Sequence, residues 1–192
     1  MRRLSLFLLL IVNFGCKESK QLHPVSVSDF SEFISATGYV TDAEKFGWSI
    51  MQEDVFNFSV DSGLVWQLPN GVDSAKLNFP VTQVSFNDAI AYCKWAEARL
   101  PSYDEFWMLS TGDKRQINEN LSQILPLSDV SVIGNVWDIT TTENIVGEIR
   151  LAGGSYLCRP NTCNGTNPSR RLYVDKTTGN THIGFSIIYL KE

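Results

Sequence analysis

The chain has 192 residues, 43% hydrophobic and 19% charged, with a formal net charge of −5. That content suits one packed domain and excludes a disordered chain. No long Lys/Arg run marks a phosphate-tracking face, so nucleic acid is excluded as a partner.

Arg2 and Arg3 precede an apolar run from Leu4 to Phe14. The run is too short to span a bilayer and has the layout of an export leader. Val12-Asn13-Phe14-Gly15-Cys16 resembles a bacterial lipobox, with Asn13 and Phe14 in place of the usual small aliphatic residues. The expectation is a leader over 1–15, a lipidated Cys16, a tether over 16–27 and a domain over 28–192. The protein is then exported and held at the bacterial cell envelope by a lipid anchor on the membrane. An ordinary secretory signal is the alternative. Both place the body outside the cytoplasm, where disulfides persist.

Ser28 is positioned to cap a helix carrying Phe30, Phe33 and Ile34 and ending near Gly38. Thr41 with Glu44 reads as a capping box for a single turn stopped by Gly47. Ser85 opens the strongest helix, Asn87 to Ala98, whose Ala89, Tyr92, Cys93 and Ala96 recur at helical spacing. Ser102 with Glu105 opens another, from Tyr103 to about Leu109. Short strands are expected at Gly63–Gln67, Arg150–Ala152 and Ile183–Tyr189. The stretch from Pro160 to Asn180 is rich in Gly, Asn, Thr, Ser and Pro and reads as an irregular loop. The fold class is α+β with much coil.

Two of the four cysteines, Cys158 and Cys163, lie five positions apart just after Gly153-Gly154. Residue chemistry leaves two readings open: a small disulfide loop, or two soft thiolates that select Cu(I), Zn or Fe–S. Cys93, on an apolar helix face, reads as a small buried hydrophobe. His23 and His182 are the only histidines, which argues against a histidine-built iron or zinc centre. His182 is assigned to surface or core. Trp48, Trp66, Trp95, Trp107 and Trp137 are read as core. Arg99 is expected to tie a loop to a carboxylate such as Glu105.

Four blocks carry a resemblance that covers the chain from about residue 28. They are Phe33 to Gly47; Pro80 to Ala96 running into Arg99 to Phe106; Gly134-Asn135-Val136-Trp137-Asp138; and Gly153 to Cys163 followed by Arg171 and Ile183-Gly184-Phe185. In content and order they resemble the formylglycine-generating enzymes, the sulfatase-modifying factors. The resemblance implies a variant of the C-type-lectin-like fold with little regular secondary structure.

It also implies an activity: copper-dependent oxidation by dioxygen of a protein cysteine to Cα-formylglycine, which matures sulfatases. Cys158 and Cys163 match the pair that binds Cu(I), and a substrate cysteine in a Cys-x-Pro-x-Arg segment is the third thiolate. Ser155 and Arg171 match a serine and an arginine of the active site. Asn135, Val136 and Asp138 match a Ca2+-binding motif, with Asp138 where the family carries Glu. The family's N-terminal Gly-Gly-x-Phe-x-Met-Gly strands have no counterpart, and the stretch from Leu109 to Gly134 is short. A second expectation follows from that paring-down: a non-catalytic lipoprotein that uses the fold for binding or scaffolding.

Overall fold

The computed structural model describes residues 20–118, 123–158 and 163–190. The leader over 1–15 and Cys16 lie outside the described residues. Among the described residues, nine strands and four helices fall in the order β1 (His23–Pro24), α1 (Val27–Thr37), α2 (Asp42–Phe46), β2 (Trp48–Gln52), β3 (Phe58–Ser62), α3 (Phe86–Trp95), β4 (Ala98–Arg99), α4 (Tyr103–Ser110), β5 (Trp137–Glu143), β6 (Ile149–Ala152), β7 (Tyr173–Val174), β8 (Ile183–Gly184) and β9 (Ser186–Tyr189). They form three small sheets, ordered β1-β9-β4, β2-β3 and β7-β6-β5-β8. All pairings are antiparallel except β5 with β8, where Trp137 faces Ile183.

The helices start where a side chain satisfies the orphan amides. Ser26, Thr41, Ser85 and Ser102 each accept from the backbone three residues on, and the carboxylate there bonds back. The first helix is thus capped by Ser26, not Ser28. Asp29 stands three residues after Ser26 and closes the box, whereas Ser28 already lies inside the first turn. The third helix stops at Trp95, short of the expected Ala98. Glu97 adopts φ 50° and swings the chain into β4, where Ala98 pairs with Tyr189.

Val25, Phe30, Phe33, Trp66, Tyr92 and Phe185 meet in the main core. Phe30 packs edge-on against Phe33 and Trp66, and its ring stacks with Tyr92 at 6.0 Å between centroids. Because Val25 is buried and His23–Pro24 pairs with β9, the folded unit begins before residue 28. Residues 23–27, expected to be tether, are therefore part of the folded unit. Gly63–Gln67 is a turn with a Val65–Leu68 bridge, and the strand lies just before it as β3. Trp66 and Trp137 are core as expected, while Trp48 and Trp95 are exposed. Within the loop expected over 160–180, Tyr173–Val174 adds an edge strand to β6.

Arg99 and Glu105 close a bidentate ion pair, Nη1 to Oε2 at 2.8 Å and Nη2 to Oε1 at 2.6 Å. That pairing, with the Ser102 amide, holds the Glu105 carboxyl down at about 2. Cys93 is a free buried thiol whose pKa burial pushes up to about 12. Among the described residues no helix is long and apolar enough to cross a membrane.

Candidate functional site

The cysteine pair sits where the ends of β6 and β5 are stitched together. Gly134 N–H donates to Gly153 carbonyl, Tyr156 N–H to Asn135 carbonyl, and Trp137 N–H to His182 carbonyl. These bonds fix three segments around one point: the 134–137 turn, the 153–158 turn and the start of β8. Gly153 and Gly154 both take positive φ, +86° and +78°, where a side chain is strained. A Cβ on Gly154 sits 2.7 Å from the carbonyl carbon of Gly165, so the two backbones touch.

Cys158 and Cys163 are paired as a disulfide, Cα atoms 4.8 Å apart, with Cys163 buried and Cys158 half-buried. Beside them is a cavity of about 150 Å³ lined by Cys158, Cys163, Trp137, His182, Asn180 and Gln52. Ser155 is only 2% exposed. Its hydroxyl lies 3.9 Å from Cys158 Sγ and 3.2 Å from His182 Nδ1. His182 is 8% exposed. Burial holds its pKa down at about 4, so the imidazole is neutral at physiological pH. His182, expected at the surface or in the core, stands at the site because it adjoins Ile183-Gly184, the strand that pairs with Trp137.

Ser155, Cys158 and Cys163 are therefore brought together. Arg171 is not. It is exposed, and Arg170 lines the cavity in its place. Residue 170 is held by its carbonyl, which accepts from Tyr103 Oη and from Arg150 Nη2.

Asn135, Val136 and Asp138, expected from the resemblance to bind Ca2+, line one small cavity. Asn135 Oδ1 already accepts from Asn118 Nδ2 and from the Leu125 amide, both at 2.9 Å, and its Nδ2 donates to the Leu125 carbonyl. Asn135 thus braces the neighbouring loop and offers no free lone pair. Asp138 is buried, and desolvation pushes its carboxyl up to about 7. Its Oδ1 is buried without a hydrogen-bond partner, so one carboxylate oxygen is left over beside the bonded amide of Asn135. Among the described residues, no three His, Cys, Asp or Glu side chains are grouped to hold a metal. Only when reduced to thiolates would Cys158 and Cys163 be two adjacent soft donors.

A family model for the sulfatase-modifying factor enzyme 1-like domain matches residues 21–119. The chain belongs to the sulfatase-modifying factor family. The formylglycine-generating enzyme of Mus musculus is 40% identical over 103 residues, which is 44% of this chain and 28% of that protein. The formylglycine-generating enzyme of Mycobacterium tuberculosis is 27% identical over 254 residues, covering 86% of this chain and 85% of that protein. A Bos taurus protein named inactive C-alpha-formylglycine-generating enzyme 2 is 36% identical over 111 residues, 47% of this chain and 36% of its own length. Among solved structures, PvdO from Pseudomonas aeruginosa superposes with a TM-score of 0.60 at 12% identity, over 88% of this chain and 78% of that one. This likeness shows the sulfatase-modifying factor fold. The chain spans just over a quarter of the length of the mouse enzyme, and the family-model match closes before the cysteine pair.

Proposed function

We propose that this sulfatase-modifying factor is a compact formylglycine-generating oxidase. It would use Cu(I) and dioxygen to convert a cysteine in a Cys-x-Pro-x-Arg segment of a sulfatase to Cα-formylglycine. The observation that carries the reading is the sulfur pair. Cys158 and Cys163 lie at bonding distance beside a cavity that the neutral His182 imidazole also lines, with the Ser155 hydroxyl between Cys158 and His182. Once reduced, the two cysteines would hold Cu(I), which when bound supplies a thiophilic centre for dioxygen chemistry. The protein's own part is to orient and to exclude water. Trp137, Leu172 and Ile183 give the cavity an apolar wall, and the Asn180 amide and His182 stand at its polar side. Cys163 is buried and Cys158 half-buried, so a substrate thiol approaches from the Cys158 side. An export leader with lipidation at Cys16 would place this chemistry at the cell envelope.

Reconstitution with Cu(I) tests the reading. One copper per chain and an aldehyde formed from a Cys-x-Pro-x-Arg peptide in air are expected, and C158S and C163S each lose both. No copper uptake and no aldehyde would refute it.

A second reading has specific support: a protein of this family that binds partners without catalysis. A relative named inactive aligns with this chain, and Arg171 is exposed and is not among the residues that line the cavity. Under that reading the peptide binds, or fails to bind, with no dependence on copper.

A further inference from the structure

We propose that His182 is a positioning residue: it holds the Ser155 hydroxyl on Cys158 and thereby favours the reduced form of the Cys158–Cys163 pair. The inference deepens the site proposed above and rests on that assignment only for its biological use. One proton decides the arrangement. A serine hydroxyl has a single hydrogen to give and can accept as well. Its oxygen lies between Cys158 Sγ at 3.9 Å and His182 Nδ1 at 3.2 Å.

A sulfur in a disulfide or a thiolate has no proton to donate. If Ser155 donates to Cys158, it must accept from His182, which then carries its proton on Nδ1. The imidazole can do this while neutral, and its burial keeps it neutral. His182 is itself fixed from behind: its amide donates to Asn180 Oδ1 at 3.2 Å, and its carbonyl accepts from the Trp137 amide at 2.9 Å. The backbone that carries the ring is therefore anchored beside β5 and β8.

The hydroxyl–sulfur bond strengthens when the sulfur gains charge, because hydrogen bonds to ionised acceptors are stronger than neutral ones. The chain His182–Ser155–Cys158 therefore stabilises the reduced pair more than the disulfide. That is the direction a copper-binding dithiol needs, since the metal takes the reduced sulfurs.

The test is the redox equilibrium of the full chain, without copper, against a dithiol such as dithiothreitol at fixed pH. In that exchange the protein disulfide takes two electrons from the dithiol, which leaves as its own cyclic disulfide; Cys163 takes one proton, and the other goes to solvent wherever Cys158 is left as the thiolate that Ser155 would stabilise. Alkylation of Cys158, read by peptide mass spectrometry, gives the reduced fraction, and protection of buried Cys93 reports that the fold is intact. H182L removes the donor at similar bulk. It is expected to lower the reduction equilibrium constant by about tenfold, or about 30 mV in potential for this two-electron couple.

S155A removes the hydroxyl and should give the same loss. The double variant should lose no more than either single one, and H182N, whose amide still donates, should stay near wild type. A wild-type potential in H182L, or losses that add in the double variant, would overturn the proposal. If H182L does not fold, S155A and H182N decide: S155A at wild-type potential, or H182N as low as S155A, sinks it. Copper uptake with aldehyde formation alongside an unchanged potential would sink only this inference and leave the proposed oxidase standing.

Discussion

Gly165→Ala isolates how tightly the backbone is packed beneath the cysteine pair. A Cβ at this position meets Gly154 Cα at 2.8 Å, Cys158 Sγ at 2.9 Å and Trp137 Cη2 at 2.9 Å. None of the three gives way easily. Gly154 is locked at φ +78°, Cys158 is tethered to Cys163, and Trp137 is only 1% exposed. Overpacking typically costs about 1–3 kcal/mol, and with no flexible neighbour this site belongs at the upper end, about 3 kcal/mol. At roughly 2–4 °C per kcal/mol for a chain of this size, the melting temperature should fall by about 6–12 °C.

Gly63→Ala is the matched control. Gly63 has φ +76° but open space around its Cβ, so only backbone strain of about 1 kcal/mol applies, worth roughly 2–4 °C. Differential scanning calorimetry of both variants, with the disulfide intact, separates clash from strain. The mechanism also predicts a local effect: the alanine methyl pushes Cys158, so native-state alkylation of reduced Cys158 should speed up in G165A and not in G63A. Equal melting shifts in the two variants would refute the claim that Gly165 is required by contact with Gly154 and Cys158.

Three further outcomes follow from packing and charge. Ser26→Ala should cost about 1 kcal/mol by urea titration, whereas Ser28→Ala should stay within about 0.5 kcal/mol, because only Ser26 caps the first helix. Phe30→Ala empties the centre of the aromatic cluster and should cost about 3–5 kcal/mol with little change in the denaturant slope. The Arg99–Glu105 pair is part-exposed, so its contribution is discounted to about 1 kcal/mol. The Glu105 pKa is depressed in the folded chain, from about 4.5 to about 2. Its contribution is thus complete above pH 4.5 and lost as pH falls toward 2. Wild type should exceed E105Q above pH 4.5, and the gap should close over that window. A gap that persists at pH 2 would show that the ionised pair is not its source.

What could be read from the chain depended on whether the signal was local. The capping boxes at Thr41, Ser85 and Ser102 are complete within four residues, and all three helices start where those residues place them. Their ends were less legible. Gly38 and Gly47 mark two of them, but the third helix is turned by Glu97 at φ 50°, a residue type that gives no warning in sequence. Strands failed where burial broke the simple pattern. Trp137, Asp138, Ile139 and Thr140 are all buried, so β5 shows no apolar–polar alternation. Phe58 and Val60 are exposed on a two-stranded hairpin, so β3 shows apolar residues on the solvent side.

The site divides along the same line. Ser155, Cys158 and Cys163 lie within nine residues of one another and stand together, so a local motif captured them. His182 reaches Ser155 across 27 positions, because β8 runs parallel to β5 and delivers it. No spacing rule within one segment encodes that meeting. Asn135 shows a related limit: its amide oxygen is taken by the Asn118 side chain and the Leu125 backbone, which approach from a different loop. A motif therefore names the donors that a segment offers. The groups that the rest of the fold brings to those donors decide whether they serve a metal, a substrate or a neighbouring turn.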